Sequence, residues 1–255
     1  MKKFFLLAVG LGVAVAAVAA PLDPRTETVV LVSDGDSFTT PIPDRVRLLG
    51  INAPEMARDR QPAEPYAEQA RAGLLGLIGG KQVRLEFGAQ LRDRYKRLIA
   101  HVYLPDGTWV NGKMIEDGNA FVYSFADNRV KIKELLELEQ KARAAGKGLW
   151  QEERWKSLPA DRPFPEKLMG DFAFVEGRVK KVDAPRSITY LNFGDDWGQD
   201  FTVEIRPEHL QAFLDDNIDP IYYYPGRQVR VRGVLKPVNG VLMTVTHPEQ
   251  IETLD

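Results

Sequence analysis

Cysteine is absent from the 255 residues, which excludes disulfides, thiolate zinc sites and a cysteine nucleophile. Histidine is nearly absent as well. His101, His209 and His247 lie far apart with no HxH or HExxH spacing, which argues against a histidine-held metal. The glycines form no GxxxxGK or GxGxxG cradle for phosphate, and Ser37 and Ser124 sit in no nucleophile motif. No charge sign dominates: 34 basic side chains face 36 acidic ones, for a formal net charge of −2. That balance argues against a tight, non-specific nucleic-acid binder, which shows a basic excess. It leaves room for an enzyme that binds its substrate locally and releases it. Internal repeats and low-complexity segments are also missing.

What is present begins at the N-terminus. Lys2 and Lys3 precede an apolar run from Phe4 to Ala20, and Ala17-Val18-Ala19 fits the small-x-small cleavage rule. At 17 residues the run is short for a membrane span of about 20. The pattern predicts a cleaved export signal over residues 1–19, no lasting membrane association, and a periplasmic or secreted product. Removing Lys2 and Lys3 leaves 32 basic against 36 acidic side chains, or −4.

The rest reads as two domains of mainly β structure with helices. Over 25–151, Val29 to Val32 is a strand ended by the turn at Asp34-Gly35, and Phe38 to Thr40 and Arg45 to Ile51 follow. In Arg45-Val46-Arg47-Leu48 the alternation is strict, so Arg47 faces away from the core and is free to line a cleft. Glu64 to Ile78 has helical spacing, Gln82 to Phe87 and Leu98 to Leu104 are strands, and Val110 to Glu116 and Val130 to Ala145 are helical. Five short strands and three helices fit a small Greek-key barrel, the OB fold. Residues 152–170, with Pro159, Pro163 and Pro165, read as a linker. Over 171–255, five strands with a helical segment after the third repeat the OB order. There Arg178 and Lys180 share one strand face, and Arg230 and Arg232 another. With Phe193, Trp197 and Phe201 near in sequence they read either as a stacking-and-charge platform or as an exposed face blunted by charge.

The chemistry is concentrated in three short motifs: Asp34-Gly35-Asp36-Ser37, Arg47-Leu48-Leu49-Gly50-Ile51-Asn52-Ala53-Pro54-Glu55, and Asp93-Arg94-Tyr95-Lys96-Arg97. Carboxylates hold hard divalent cations, and arginine grips phosphate oxygens with a planar fork. Singly, Asp34 and Asp36 are turn formers, Arg47 a surface charge and Glu55 a helix-entry carboxylate. Together they describe a metal-assisted phosphodiesterase.

In order and spacing these motifs, followed by Gly146-Lys147-Gly148-Leu149-Trp150, resemble the staphylococcal-type thermonuclease family over about residues 28–150. The resemblance implies an OB-fold nuclease domain, and the segment after the linker is similar to the small OB-type modules that follow such domains. It implies Ca2+ held by Asp36, the Asn52 side chain and the Ala53 main-chain oxygen. It makes Glu55 the residue that handles the attacking water, and Arg47 and Arg97 the phosphate clamps. DNA and RNA are the implied substrates, cut to leave 3′-phosphates with low sequence preference. Arg94, Lys96 and Tyr123 are expected to touch substrate, with Tyr123 and Phe125 offset from the family's base-stacking pair. Three departures stand out: Asn52 replaces an aspartate, Ala53 a threonine, and Lys96 a glycine. Losing a carboxylate at Asn52 predicts weaker calcium binding. The competing expectation is a non-catalytic nucleic-acid- or ligand-binding protein on a nuclease scaffold.

Overall fold

A computed structural model describes residues 23–42, 44–59, 61–196 and 198–255. The expected export signal over 1–19 and Trp197 lie outside these described residues.

The first half starts with β1 (Arg25–Thr28) and β2 (Leu31–Asp34), then β3 (Ser37–Thr39), β4 (Arg45–Leu48) and β5 (Ile51–Asn52). Helix α1 (Ala67–Ile78), β6 (Gln82–Arg92), β7 (Leu98–Tyr103), α2 (Val110–Glu116), β8 (Phe121–Val122) and α3 (Ile132–Ala144) follow. The sheet order is β1-β6-β7-β4-β3-β2, so it begins and ends on consecutive strands. The strand expected over Val29 to Val32 is in fact bent at its middle. Val29 donates to Lys81 O and Val30 to Thr39 O, both at 2.9 Å, which passes the chain from β6 to β3 and closes a barrel. The pairing of β4 with β7 is parallel, and β5, α1 and β6 supply the long crossover that parallel neighbours require.

Alternation decides the faces. Val46, Leu48, Leu98, Ala100 and Val102 point inward and are buried. Ala67, Ala70, Leu74 and Ile78 recur at helical spacing and lay α1 on that core. Truncating a side chain as buried as Leu74 costs about 2–5 kcal/mol.

The second half holds β9 (Leu158–Pro159), β10 (Phe172–Arg178), β11 (Lys181–Asp183), β12 (Thr189–Asn192) and β13 (Phe201–Ile205). Then come α4 (Pro207–Asp215), α5 (Pro220–Tyr223), β14 (Gln228–Val234), β15 (Val241–Val245) and β16 (Ile251–Thr253). Here β10 pairs antiparallel with β14, β11-β12-β13 form a meander, and β13 runs parallel to β15. These pairings have counterparts in the first half, again with helices after the third strand. Here, however, the described strands form two four-stranded sheets, and β14 meets β15 only through the isolated bridge of Lys236, just past its end, with Leu242. Its core is separate, built on Val175, Leu191, Val203, Phe213, Val231 and Met243.

A third apolar cluster, Phe121, Ala142, Leu149, Trp150, Trp155 and Phe174, draws on both halves. The segment expected as a linker takes part in it. Trp155 is buried and donates from Nε1 to Pro65 O at 3.0 Å, and β9 pairs parallel with β10. Arg230 and Arg232 form neither a platform nor an exposed face. Arg232 is 1% exposed, with Nη1 donating to Glu139 Oε2 of α3 at 2.6 Å and Nη2 donating to Glu252. Arg230 pairs with Glu176 at 2.6 Å and Glu252 at 3.3 Å.

Candidate active site

Strand pairing brings the first two motifs together. The Asp34-to-Ser37 turn joins β2 to β3, and Ser37 lies opposite Arg47 on β4. Gly35 permits this turn to sit close: a Cβ there would stand 2.5 Å from Ala53 Cβ and 2.8 Å from Ala70 Cβ. Asp36 is buried and nearly saturated. Its Oδ1 accepts from Arg47 Nη1 at 2.7 Å and from Ser37 Oγ at 2.8 Å, and its Oδ2 accepts from the Ala53 N–H at 2.9 Å. Arg47 Nη2 donates in turn to Asn52 Oδ1 and, at 3.3 Å, to Ile51 O. Asn52 Nδ2 donates to Ala53 O at 3.1 Å. Asp36, Arg47, Asn52 and Ala53 therefore close a ring.

The three oxygens expected to hold calcium all belong to this ring: one carboxylate, one amide and one main-chain carbonyl. That donor set suits a hard cation, and Asp36 Oδ2, Asn52 Oδ1 and Ala53 O each accept one hydrogen bond here and keep a second lone pair. Among the described residues no three Asp, Glu or His side chains converge as a metal cluster. A cation at this corner would rest on a single carboxylate within the ring.

Glu55 follows two residues after Ala53. Its main chain is pinned reciprocally to Glu64, with Glu55 N donating to Glu64 Oε2 at 2.8 Å and Glu64 N to Glu55 O at 2.9 Å. Burial pushes the Glu64 carboxyl upward. The Glu55 side chain is half exposed and within reach of a ligand from solvent.

One neighbour escapes notice in the sequence. Arg58 reaches Glu55 at 3.4 Å and Asp34 at 3.6 Å, bridging the first two motifs. Asp34 is more than a turn former, because burial and then the adjacent Asp36 push its carboxyl up to about 6. Arg58 lies outside any helix, so its three-residue step from Glu55 gives no signal in the sequence.

Arg97 precedes β7, two residues before Ile99, the register partner of Arg47. It is anchored at one side only. Arg97 Nε donates to Asp93 Oδ2 at 2.7 Å, and among the described residues its Nη atoms have no hydrogen-bond partner. Asp93 also accepts from the N–H groups of Arg97 and Tyr95. Burial works against the Asp93 charge, but these donors outweigh it and hold the carboxyl below its usual range. Arg94 and Arg97 both lie over the Tyr95 ring, at 4.8 and 5.4 Å. Lys96 is exposed in the same turn. No hydrogen bond among the described residues links this turn to the ring. Tyr123 donates from its N–H to Gly50 O at 3.0 Å, two residues before Asn52, and packs on Phe125 and on Phe172 of the second half.

A family model described as staphylococcal nuclease homologue matches residues 45–152, which take in Arg47, Asn52, Glu55 and Arg97. Among similar proteins, protein ParB of Escherichia coli is 32% identical over 172 residues, covering 61% of this chain and 92% of that one. The chain belongs to the staphylococcal nuclease family. A thermonuclease of Staphylococcus hyicus is 30% identical over 130 residues, covering 49% of this chain and 76% of its own. The "Probable staphylococcal-like nuclease CAN1" of Oryza sativa subsp. japonica is 36% identical over 106 residues. That match spans 42% of this chain and only 28% of the rice protein. As a member of this nuclease family, the chain has an OB-fold nuclease domain.

Proposed function

We propose that the protein is an exported, calcium-dependent nuclease that hydrolyses DNA and RNA with little sequence preference. The observation that carries this reading is the Asp36-Arg47-Asn52-Ala53 ring, with the solvent-facing Glu55 two residues beyond it. The 1–19 leader supports export, and the near-neutral overall charge suits an enzyme that releases its product.

In the proposed reaction Glu55 takes a proton from water as the water oxygen attacks phosphorus. The bond from phosphorus to the 5′-oxygen breaks, that oxygen takes up a proton from solvent to leave as a hydroxyl, and a 3′-phosphate remains. Charge accumulates on the phosphoryl oxygens at the crowded centre. Arg47 and the free Nη edge of Arg97 are the donors able to meet it, and fixed donors of this kind act most strongly away from bulk water. Calcium, when held by Asp36, Asn52 and Ala53, would add positive charge beside the same phosphate. Asp93 holds Arg97 in place, and Glu64 fixes the main chain of Glu55.

The test is incubation of residues 20–255 with supercoiled and single-stranded DNA and with RNA, in calcium, magnesium or chelator. Calcium-dependent cleavage that disappears in Glu55→Gln is the expected result. A folded protein that cleaves nothing with any metal would sink the reading and assign the scaffold to binding. Asn52→Asp restores a second carboxylate to the donor set and should tighten calcium binding by about tenfold, read by calorimetry. The N-terminus of the mature protein, read by mass spectrometry of the exported fraction, tests cleavage after Ala19.

A further inference from the structure

The cation-binding corner is built on a short strand. Asn52 sits on β5, whose sheet partner is β8: Ile51 pairs with Val122 and Asn52 with Phe121. A two-residue strand on a two-residue partner has little rigidity of its own, so the position of Asn52 depends on what holds β8. The N–H and C=O of Val122 both bond to side chains. Val122 N donates to Glu139 Oε1 at 3.4 Å, and Val122 O accepts from Arg232 Nη1 at 3.2 Å. Arg232 belongs to the second barrel, and its other branch is fixed by Glu252 of the same barrel. Next along β8, Phe121 stacks on Phe172 at 4.9 Å and meets Phe174 edge-on at 5.8 Å, both from β10.

We propose that the second barrel is a working part of the nuclease centre, with Arg232 and Phe172 as positioning residues that hold β8 and, through it, Asn52 and Ala53. The inference rests on the nuclease reading for its kinetic consequence, though not for its geometry. Two other ties between the halves do not reach β8. Arg129 pairs with Glu249 at 2.8 Å and with Asp216, and Ser124 bonds to His247 at 2.6 Å. These fasten the barrels together without touching the strand that backs Asn52, and they provide the control.

Three variants of the full mature chain separate positioning from docking. Phe172→Leu removes the stack on Phe121 together with the contact to Tyr123, and leaves every buried charge paired. Arg232→Lys keeps the charge between Glu139 and Glu252 but loses the fork that also reaches Val122 O. Arg129→Met cuts a tie that does not touch β8. The first readout is the amide shifts of Asn52 and Ala53 by NMR, which needs neither metal nor activity. Calcium affinity and kcat follow. Phe172→Leu and Arg232→Lys should move both amides, weaken calcium binding and lower kcat by about tenfold, with KM for DNA nearly constant. Arg129→Met should lower the melting temperature and leave amides, calcium affinity and kcat alone. Unmoved amides in the first two variants, or losses in all three that simply track stability, would overturn the proposal. Moved amides in a wild-type protein that cleaves nothing would uphold the positioning and defeat the nuclease reading instead.

Discussion

The two halves share most of their strand pairings and differ in chemistry at the third strand of each. In the first, β4 runs parallel to β7 and turns Arg47 outward. In the second, β13 runs parallel to β15 and turns Thr202 and Glu204 outward. Arg47 reaches Asp36 and Asn52. Glu204 accepts instead from Arg206 at 2.8 Å and from Thr244 Oγ1 at 3.3 Å. The second face is roomy, with a cavity of about 600 Å3 lined by Tyr190, Asn192, Thr202 and Glu204 among others. Its rim lysines are engaged, Lys180 with Asp195 at 2.7 Å and Lys181 with Asp183 at 2.8 Å. The first barrel leaves the Nη edge of Arg97 and the Glu55 carboxylate facing outward. A shared topology thus fixes where a ligand could lie, while one strand position fixes the sign of charge it would meet.

The largest effects should separate these two faces. Glu55→Gln and Arg97→Ala are expected to slow DNA cleavage by about a thousandfold, as loss of a general base or a charge-stabilising donor does. Glu204→Gln, the matching change on the second barrel, should leave the rate within about twofold. A loss in Glu204→Gln comparable to that in Glu55→Gln, measured under single-turnover conditions, would erase the distinction.

A glycine in each half offers a sharper contrast. Gly177 is as crowded as Gly35, since a Cβ there would stand 2.5 Å from Ala160 Cβ and 2.8 Å from Phe193 Cδ1. Overpacking either site should cost about 1–3 kcal/mol. Gly35→Ala, however, pushes directly on Ala53 and should also weaken calcium binding. Gly177→Ala should cost stability alone. Equal calcium affinities in the two folded variants would show that the turn does not set the corner.

Acid should loosen both halves through buried histidines. Burial holds His101 at about 4 and His247 at about 3, against an ordinary value of 6.5. Around His247 the charges of Arg129, Arg232 and His209 add to that burial. The unfolded chain therefore takes up protons first as pH falls through 6.5. Stability should drop between pH 6.5 and about 4, and level off only as the native histidines protonate. Each contributes on the order of 2 kcal/mol by pH 4.5. Urea unfolding at pH 7 and pH 4.5 checks this, and His247→Gln should flatten the dependence by about half.

Much of this was legible in the sequence for a physical reason. The ring is made by residues 36, 47, 52 and 53, which a tight turn and two adjacent strands bring together with few alternatives. Strand alternation correctly turned Arg47 away from the core. Alternation also put Arg230 and Arg232 on one face, but it could not reveal that α3 covers that face, because the covering comes from another domain. The first turn of α1 was expected at Glu64 and begins at Ala67, since Tyr66 adopts a left-handed φ of 76° and Glu64 is engaged with Glu55. Arg58 was missed because an exposed arginine carries no periodic signal.

The loop between the fourth and fifth barrel strands gives the smallest and cleanest test. In the second barrel that loop, between β14 and β15, places Asn239 and Gly240 at φ of 46° and 77°. Both residue types tolerate the left-handed region. In the first barrel the loop between β6 and β7 places Lys96 at φ of 64°, where a lysine Cβ crowds the next carbonyl. Lys96 holds this conformation because its own N–H donates to Asp93 O at 2.9 Å and its carbonyl accepts from Arg92 Nη1 at 2.7 Å. That hairpin is the one that presents Arg97. Lys96→Gly relieves the crowding, at the cost of a more flexible unfolded chain, and should raise stability by about 0.5 kcal/mol, or roughly 2 °C in melting temperature. Asn239→Gly should change stability by less. If Lys96 only shapes the hairpin, cleavage in Lys96→Gly should stay within about threefold of wild type. A larger loss, growing as salt is lowered, would instead make the Lys96 ammonium a phosphate contact.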